Sequence, residues 1–326
     1  MNNRNRRLRP LGITDILDET VDLYKTNFAL LIGISAVLYV PYILLSSLLP
    51  QPKDEAMFNP YNWLGIAILG VLFYVVINPL VTGALTFAIS ERYLDRQTTI
   101  SDCYRRVSRP GVLLRFIGAT VITGLAILGA CLLPILMIGA SAALMAWLKT
   151  GMAIGIGAIL IIAGFAAFIL PIWLGLRFTL VSPAFFIESE HAMLAIDRSW
   201  RLMKGNALKA LGLLAIAGIV VAVIQGIVVG PVSLLAAFSS RGGADPNWWM
   251  TAISAILNTV VSTLLLPVSS IVMILLYYDV RIRKEGFDLE LLANELDQKT
   301  RELSAHDITS LPQEQTYPSV EPEKRD

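Results

Sequence analysis

Six long apolar segments constrain the fold of this chain more than any other feature of its sequence. Each is long enough to cross a bilayer, since a transmembrane helix needs about 20 mostly apolar residues. Of 326 residues, 55% are hydrophobic and 16% are charged, whereas soluble domains carry about 25% charged residues. The sequence therefore predicts an all-α integral membrane protein with about six transmembrane helices in a membrane domain over 13–285. The apolar segments cover about 27–49, 62–90, 112–147, 152–187, 207–238 and 248–280.

Basic residues are distributed unevenly among the loops, which predicts the orientation of the chain. They are concentrated before the first apolar segment, between the second and third, between the fourth and fifth, and after the sixth. The other loops contain only Lys53, Lys149 and Arg241. Because cytoplasmic loops carry the excess of Lys and Arg, both termini are predicted to be cytoplasmic, including a basic N-terminal segment over 1–12. Acidic amphipathic sequence follows this segment rather than a short apolar core, so we expect no signal peptide.

A charged run before the fifth apolar segment repeats one before the first. Aligning LDETVDLYKTNF (17–28) with IDRSWRLMKGNA (196–207) matches Asp18 with Asp197. Spacings of three and four residues give each run an apolar stripe on one helical face, so we expect amphipathic elbow helices at the cytoplasmic interface. A third copy, TISDCYRRVSRPGVLL (99–114), matches in two registers that are one residue apart. The predicted elbows cover about 13–26, 99–110 and 190–205.

An elbow followed by a transmembrane hairpin makes one unit, and the chain is predicted to contain three. In the first elbow, the apolar stripe comprises Leu17, Val21, Tyr24 and Phe28. Because every unit begins on the same side, the repeats are parallel and related by an axis along the membrane normal. This arrangement fits a closed scaffold packed through small residues or a bundle around a functional cavity.

Prolines interrupt the even-numbered apolar segments at Pro79, Pro171 and Pro267. Proline within a helix removes a backbone hydrogen bond and kinks the helix. We therefore predict three helix kinks at similar depths in the bundle.

Arg177 is the strongest candidate for a functional residue within a span, because ionisable residues inside a membrane are rare and commonly functional. It lies in the fourth apolar segment, eleven residues before Glu188. In that position it can bind a lipid phosphate or a carboxylate in a cavity. The alternative is that its long side chain reaches out to the inner headgroups. Asn78, a conspicuous amide at membrane depth, is expected to hydrogen-bond between helices.

Five basic residues of the second and third elbows are predicted to face anionic lipid or a protein partner. Each basic residue near an anionic membrane surface contributes about 1 kcal/mol of attraction. The alternative is that these charges only set the topology, since the positive-inside rule requires them whatever the function. The five residues are Arg105, Arg106, Arg198, Arg201 and Lys204.

The sequence indicates neither a catalytic centre nor a bound cofactor or metal. Its only histidines, His191 and His306, do not stand in a metal-ligand or proton-relay spacing. Cys103 and Cys131 are too far apart in sequence to suggest a metal site or a disulfide. A Gly-rich phosphate loop is absent from the sequence, and we expect no nucleic-acid partner.

The sequence after the sixth apolar segment divides into two parts. FDLELLANELDQKTREL places Leu289, Leu292 and Leu296 on one helical face, which predicts a cytoplasmic amphipathic helix over 286–304. The polar, proline-containing tail over 305–326 has little apolar surface to bury and is predicted to be disordered.

Three motifs together resemble a known membrane family. They are RPLGITDILDETVDLYKTNF at the start, AIDRSWRLMKGN in the third elbow and LLYYDVRIRKEGFDLE at the close. They look like the membrane domain that precedes the catalytic barrel in some bacterial glycerophosphoryl diester phosphodiesterases and also occurs alone. The resemblance covers about residues 8–297 and implies a bacterial membrane protein of about six helices. It does not imply hydrolysis, because the family's His-Arg-Gly stretch is absent and the tail is too short for a barrel of about 250 residues.

We therefore expect a non-enzymatic protein of the bacterial cytoplasmic membrane. It would act as a lipid-associated scaffold or accessory subunit, with anionic lipid headgroups as partners and a protein partner that the sequence does not identify. The alternative is a carrier or flippase-like transporter of a lipid or small anionic solute, with Arg177 in a cavity among the kinked helices.

Overall fold

The computed structural model describes residues 10–47, 60–148, 150–189, 191–241 and 248–286. All regular secondary structure within these residues is helical. Most of the basic segment over 1–12, the predicted helix over 286–304 apart from Gly286, and the tail over 305–326 lie outside the described residues.

Six segments in the described part of the chain are long and apolar enough to span a membrane. This confirms the predicted number of spans and identifies a multi-pass membrane protein. The third and fourth spans each contain 38 residues, more than the roughly 20 that a bilayer needs. The spans are Phe28–Leu45, Ala67–Tyr93, Pro110–Trp147, Gly151–Glu188, Ala207–Val228 and Ala252–Glu285.

Short breaks and two π-helical turns divide these spans into separate helices. The first π turn, Phe73–Ile77, lies inside the second span, and the second, Phe185–Ser189, ends the fourth. The α-helices are α1 (Ile13–Thr26), α2 (Phe28–Ser47), α3 (Pro60–Leu72), α4 (Asn78–Tyr93), α5 (Ile100–Val107), α6 (Pro110–Leu148), α7 (Gly151–Ala167), α8 (Ile169–Phe178), α9 (Val181–Ala184), α10 (Ala192–Met203), α11 (Ala207–Val228), α12 (Gly230–Arg241) and α13 (Trp248–Glu285).

Three short helices, α1, α5 and α10, precede spans and bury one face each. In α1 the buried residues are Ile16, Thr20 and Leu23. The apolar stripe predicted for α1 is not this buried face, since Val21 is 51% exposed and Phe28, just after α1, is 46% exposed. The protein therefore packs against the neighbouring face, and part of the stripe is left outside. In α10 the buried residues are Ala195, Ser199, Leu202 and Met203.

Helix α1 lies lengthwise along α13. The Leu11 N–H, just before α1, donates to Asp279 Oδ1 at 2.8 Å. At the other end of α1, the Tyr24 hydroxyl donates to the carbonyl of Leu264 at 2.9 Å. Since Leu264 and Asp279 are separated by about 22 Å along a helix, the two contacts fix both ends of α1 on the last span.

Two of the three predicted proline kinks coincide with irregular backbone. Pro79 is the second residue of α4 and follows the first π turn directly. Pro171 lies three residues after Phe168, where α7 ends and α8 begins. Pro267 differs, because α13 continues as one helix on both sides of it.

The buried core lies at the end of the bundle where α4 and α13 finish. Its large, fully buried side chains include Leu85, Ile89, Phe185, Tyr277 and Tyr278. The far halves of α6 and α7 instead expose apolar side chains, including Leu132 and Ile162, which are 59% and 70% exposed. This core positions the site described next, which lies at the same end.

Candidate functional site

A pocket of about 290 Å³ opens at the core end of the bundle, and we call it the basic pocket. The end of α4 and the loop after it form one wall. Helix α5, the second π turn and the end of α13 form the others. Three arginines and one glutamate line the pocket, so its formal charge is positive. The lining residues are Phe87, Ser90, Glu91, Leu94, Arg96, Arg106, Phe186, Ile187, Tyr278 and Arg281.

A pair of hydroxyl groups forms the inner side of the basic pocket. Ser90 Oγ and the Tyr278 hydroxyl are hydrogen-bonded at 2.7 Å, and Tyr278 is almost completely buried. The Tyr278 ring stacks on Tyr93, with ring centroids 5.0 Å apart. The pair fixes α4 against α13 and presents polar oxygen atoms beneath the arginines.

The three arginines of the pocket have different surroundings. The Arg106 guanidinium lies over the Phe87 ring, 4.6 Å from its centroid, a cation–π contact that orients it. Arg96 is largely exposed and lies 3.8 Å from Glu91. Arg281 is mostly buried, and its Nε lies 3.4 Å from Glu188 Oε1. The pocket therefore combines two accessible cations with one that is partly neutralised.

Arg198 occupies the centre of an ionic network beside the basic pocket. Its Nε donates to Glu188 Oε2 at 2.6 Å, and its terminal nitrogens donate to Glu285. Burial disfavours the charged form of Arg198, but the hydrogen bonds to Glu188 and Glu285 outweigh it and raise the pKa of the guanidinium. The Tyr277 hydroxyl also donates to Glu188. Two glutamates and the guanidiniums of Arg198 and Arg281 thus balance one another and join α10, the second π turn and α13.

A second charged cluster surrounds Asp279, which has no exposed surface. Besides Leu11, its carboxylate accepts hydrogen bonds from Lys209 and, at 3.0 Å, from Arg283 Nε. Lys209 and Arg283 also donate to the Leu11 carbonyl at 2.8 and 2.9 Å. The carboxylate and the Leu11 carbonyl are both bonded to the same two cations, so the cluster has a structural function: it fixes the start of the described chain to α11 and α13.

Arg177 lies between two tryptophan rings. Its guanidinium carbon is 5.0 Å from the centroids of both Trp173 and Trp200. Its Nη1 donates to the Trp200 carbonyl at 3.1 Å, and the Ser199 hydroxyl donates to the Arg177 carbonyl at 2.7 Å. These contacts attach α8 to α10. Aromatic rings and a backbone oxygen therefore surround the guanidinium, and its predicted contact with a headgroup or carboxylate stays a prediction.

The five basic residues predicted as one lipid-facing set are separated by the fold. Arg106 lines the basic pocket, whereas Arg198 is held by two glutamates. Arg201 pairs with Asp197 at 3.0 Å on the exposed side of α10. Arg105 and Lys204 are exposed. Only one of the five therefore belongs to the pocket.

The sequence analysis did not single out Arg96, Arg281 or Asp279 as site residues. Arg96 and Arg281 belong to clusters that the positive-inside rule explains without reference to a site. Asp279 carried a usable signal, because it is an acidic residue within the otherwise apolar and aromatic run LLYYDV. Ionisable residues at such positions are usually paired.

A smaller pocket of about 170 Å³ lies farther along the same spans, and we call it the hydroxyl pocket. It is enclosed by the start of α4, the first third of α6 and the junction of α8 and α9. Its lining contains one amide and five hydroxyl side chains, with no charged residue. The lining residues are Asn78, Pro79, Thr82, Phe116, Thr120, Thr123, Phe178, Thr179, Val181 and Ser182.

Within the described residues, no group of three or more His, Cys, Asp and Glu side chains has an arrangement that could hold a metal ion. Cys103 is buried, and Cys131 is partly buried. Burial raises the pKa of the Cys103 thiol, which favours its neutral form.

Comparison with known proteins gives one family match. The family described as Domain of unknown function (DUF7847) matches residues 16–279, which include all six spans apart from the last residues of the sixth. No curated protein and no solved structure matches the chain. The resemblance to the membrane domain of glycerophosphoryl diester phosphodiesterases has no support from these comparisons and stays a prediction.

Proposed function

Because the chain belongs to the family described as Domain of unknown function (DUF7847), we propose its function from its own geometry. It is a non-enzymatic, lipid-associated scaffold or accessory subunit whose basic pocket binds the phosphate of an anionic membrane lipid. The observation that carries this proposal is the convergence of Arg96, Arg106 and Arg281 on one pocket from three separate segments.

The chemistry of the pocket suits a lipid phosphate. Guanidinium groups bind phosphate through paired, charge-assisted hydrogen bonds. The Ser90 and Tyr278 hydroxyls add neutral partners for phosphate oxygens. Phe87, Phe186 and Ile187 give the same pocket an apolar side, as a glycerol backbone and its acyl chains require. The pocket adjoins the ends of the second, fourth and sixth spans, where lipid headgroups are found.

We further propose that the chain is built from three parallel units, each an elbow helix followed by a hairpin. Burial supports the first and third copies, because Ile16, Thr20 and Leu23 of α1 fall on Ala195, Ser199 and Leu202 of α10 when Asp18 is aligned with Asp197. For the second copy, burial does not decide the register, because buried Cys103 aligns with buried Thr20 in one register and buried Val107 aligns with buried Leu23 in the other. The positive-inside rule supports our proposal that both termini are cytoplasmic, and the family resemblance is the basis on which we propose the bacterial cytoplasmic membrane.

Native mass spectrometry of the full chain, released from nanodiscs of mixed phosphatidylglycerol and phosphatidylcholine, tests the lipid site. The test variant is Arg96→Gln/Arg106→Gln. The control is Arg105→Gln/Arg109→Gln, which removes two exposed charges of the same region that do not line the pocket. The wild type and the control should retain phosphatidylglycerol selectively, and the test variant should bind it about 30-fold more weakly. Equal retention by all three proteins would exclude the pocket as the lipid site.

The second candidate function is a carrier or flippase-like transporter. The hydroxyl pocket favours it, because Pro79 of a kinked even-numbered span lines a cavity at membrane depth. Arg177 lies outside the lining of this uncharged pocket, beside Trp173 and Trp200, so in this account it contacts the anionic solute at a separate point of the path, and Arg177→Ala should abolish movement of the solute across vesicles while the protein stays folded. Normal transport by that variant would remove Arg177 from the transport site.

A further inference from the structure

We propose that the hydroxyl pocket is a binding site for an uncharged polyhydroxyl group of the glycerol type. This goes beyond the proposed lipid-phosphate site, because it concerns a different pocket and a ligand of different charge. The occupant is either the headgroup of a neutral lipid such as monoacylglycerol or a free polyol such as glycerol, and both present at least two free hydroxyl groups.

The backbone around the hydroxyl pocket is irregular at membrane depth. Asn78 begins α4 directly after the first π turn. On the opposite wall, a turn at Thr179–Leu180 separates α8 from α9, and Leu180 is completely buried. Thr120 and Asn78 lie about 15 Å and 17 Å, respectively, from the nearer ends of their spans. Irregular backbone at such depth is tolerated where it is buried in protein or lines a cavity, and discontinuous helices commonly form ligand sites.

The hydroxyl groups of the pocket are arranged as acceptors. The hydroxyls of Thr120, Thr123 and Thr179 each donate to a carbonyl of their own helix at 2.9 Å. Their hydrogen atoms are therefore used, and their lone pairs remain for a ligand that donates. A polyol supplies hydroxyl donors, whereas a phosphate supplies only acceptors at its charged oxygens.

Asn78 provides the complementary donor. Its Oδ1 accepts hydrogen bonds from Tyr39 and Thr82, both at 3.4 Å, which leaves the amide nitrogen as the group with hydrogens to donate. Phe116 and Phe178 supply apolar walls against which the carbon atoms of a polyol can pack. Since the lining has no charged side chain, an anion would lose its hydration without gaining a counter-ion.

Helix packing alone does not explain this collection of polar groups. The hydroxyl contact that joins α4 to α9 is Thr86–Ser182 at 2.9 Å, and of these two residues Ser182 alone lines the pocket. In the described part of the chain, Thr120 and Thr123 of α6 bond only within their own helix. The volume of about 170 Å³ is also far above the roughly 10–15 Å³ that one water needs.

Phe186 separates the hydroxyl pocket from the basic pocket. It lines the basic pocket and packs against Gly83, where an added Cβ would lie 2.5 Å from the Phe186 ring. Its ring also contacts Phe116, which lines the hydroxyl pocket, at a centroid distance of 4.6 Å. The two sites can therefore be tested independently.

The test uses the full chain in phosphatidylcholine nanodiscs, with two probes in separate arms. In the lipid arm, monoacylglycerol is added to the nanodiscs and the number retained is counted by native mass spectrometry. In the soluble arm, binding of free glycerol is followed by saturation-transfer NMR in nanodiscs without monoacylglycerol. The test variant is Thr120→Val/Thr179→Val, which removes two hydroxyls at almost constant volume. The control is Thr259→Val, since Thr259 also donates to a carbonyl of its own helix but lies outside the pocket.

We expect wild type and Thr259→Val to bind at least one probe, and the double valine variant to bind it about 30-fold more weakly, as for two lost hydrogen bonds. The arm in which binding occurs identifies the source of the polyol. Thr120→Ser/Thr179→Ser keeps both hydroxyls and should bind as the wild type does, which separates hydrogen bonding from packing. Binding of neither probe by the wild type, binding unchanged in the double valine variant, or loss of binding in the double serine variant would each overturn the proposal.

Discussion

The backbone N–H of Leu11 donates a hydrogen bond to Asp279 Oδ1 at 2.8 Å, across 268 positions of sequence. The contact joins the start of the described chain to the last span, and Lys209 and Arg283 complete it. A carboxylate with no exposed surface holds the three donors together. This cluster fixes the segment that leads into α1, together with burial of the Leu11 side chain in the apolar core.

Asp279→Asn should destabilise the protein strongly. The substitution leaves Lys209 without its counter-ion, and breaking a buried ion pair from one side typically costs about 3–5 kcal/mol. The midpoint of thermal unfolding in detergent should fall by several degrees or more. Asp197→Asn is the matched control, because its exposed pair with Arg201 contributes at most about 1 kcal/mol. Equal unfolding midpoints for the two variants would show that the Asp279 cluster does not stabilise the fold.

Gly83→Ala should be destabilising and should disturb the separation of the two pockets. The new methyl group would lie 2.5 Å from the Phe186 ring and 2.9 Å from Val107, and overpacking of this kind costs about 1–3 kcal/mol. Gly118→Ala is the control, because an added Cβ there meets no atom within 4 Å. Thermal unfolding should distinguish the two. A Gly83→Ala protein as stable as Gly118→Ala would mean that Phe186 moves freely.

Cys103 should resist alkylation in the folded protein. It is buried, and burial raises the pKa of its thiol, so both access and the thiolate fraction are low. With Cys131→Ser as background, maleimide should label Cys103 only after unfolding in strong detergent. Because folding favours the neutral thiol, the stabilising contribution of Cys103 is complete below the ordinary thiol pKa and is lost as the pH rises from there through the raised folded-state value. Rapid labelling of the folded protein near neutral pH would contradict the buried position.

Arg177→Ala should weaken the attachment of α8 to α10. The substitution removes a cation from between Trp173 and Trp200, and such contacts contribute about 1–2 kcal/mol. We expect a lower unfolding midpoint and altered tryptophan emission, with Arg177→Lys intermediate because an ammonium lacks the planar fork. Arg115→Ala, at an exposed position of α6, is the control and should change neither. Unchanged stability and emission in Arg177→Ala would indicate that this stacking contributes nothing to the fold.

The spans could be predicted from sequence because the length and polarity of a segment are local properties. Helices α1, α5 and α10 could be predicted for the same reason, because charged and apolar residues alternate with helical spacing before the first, third and fifth spans. The face that α1 packs against the protein was harder to predict. Its apolar stripe, with Val21, was expected along the membrane interface, and the protein buries the adjacent face with Thr20, because a helix between protein and lipid has two faces to cover.

The basic pocket was also not predictable from the sequence, but the reason is different. Arg96, Arg106 and Arg281 are separated by up to 185 positions, and their convergence depends on how α5 and α13 pack beside α4. For Arg198, the sequence suggested a binding residue where the structure has an ion pair. Its position near the membrane suggested a lipid contact, but Glu188 and Glu285, from two other segments, neutralise it. Charges in the loops between spans look alike in sequence whether they serve topology, ion pairing or binding.

The central claim, that the basic pocket holds an anionic lipid headgroup, is tested most directly by photo-crosslinking. A phosphatidylglycerol with a photoreactive group near its phosphate would be incorporated into nanodiscs with the full chain, and adducts would be mapped by peptide mass spectrometry. A phosphatidylcholine with the same reactive group serves as the reference. The account predicts phosphatidylglycerol adducts concentrated on the peptides that carry Phe87–Arg96 and Phe186–Ile187, and lost in Arg96→Gln/Arg106→Gln. Adducts of both lipids distributed alike over the exposed faces of α6 and α7 would contradict it.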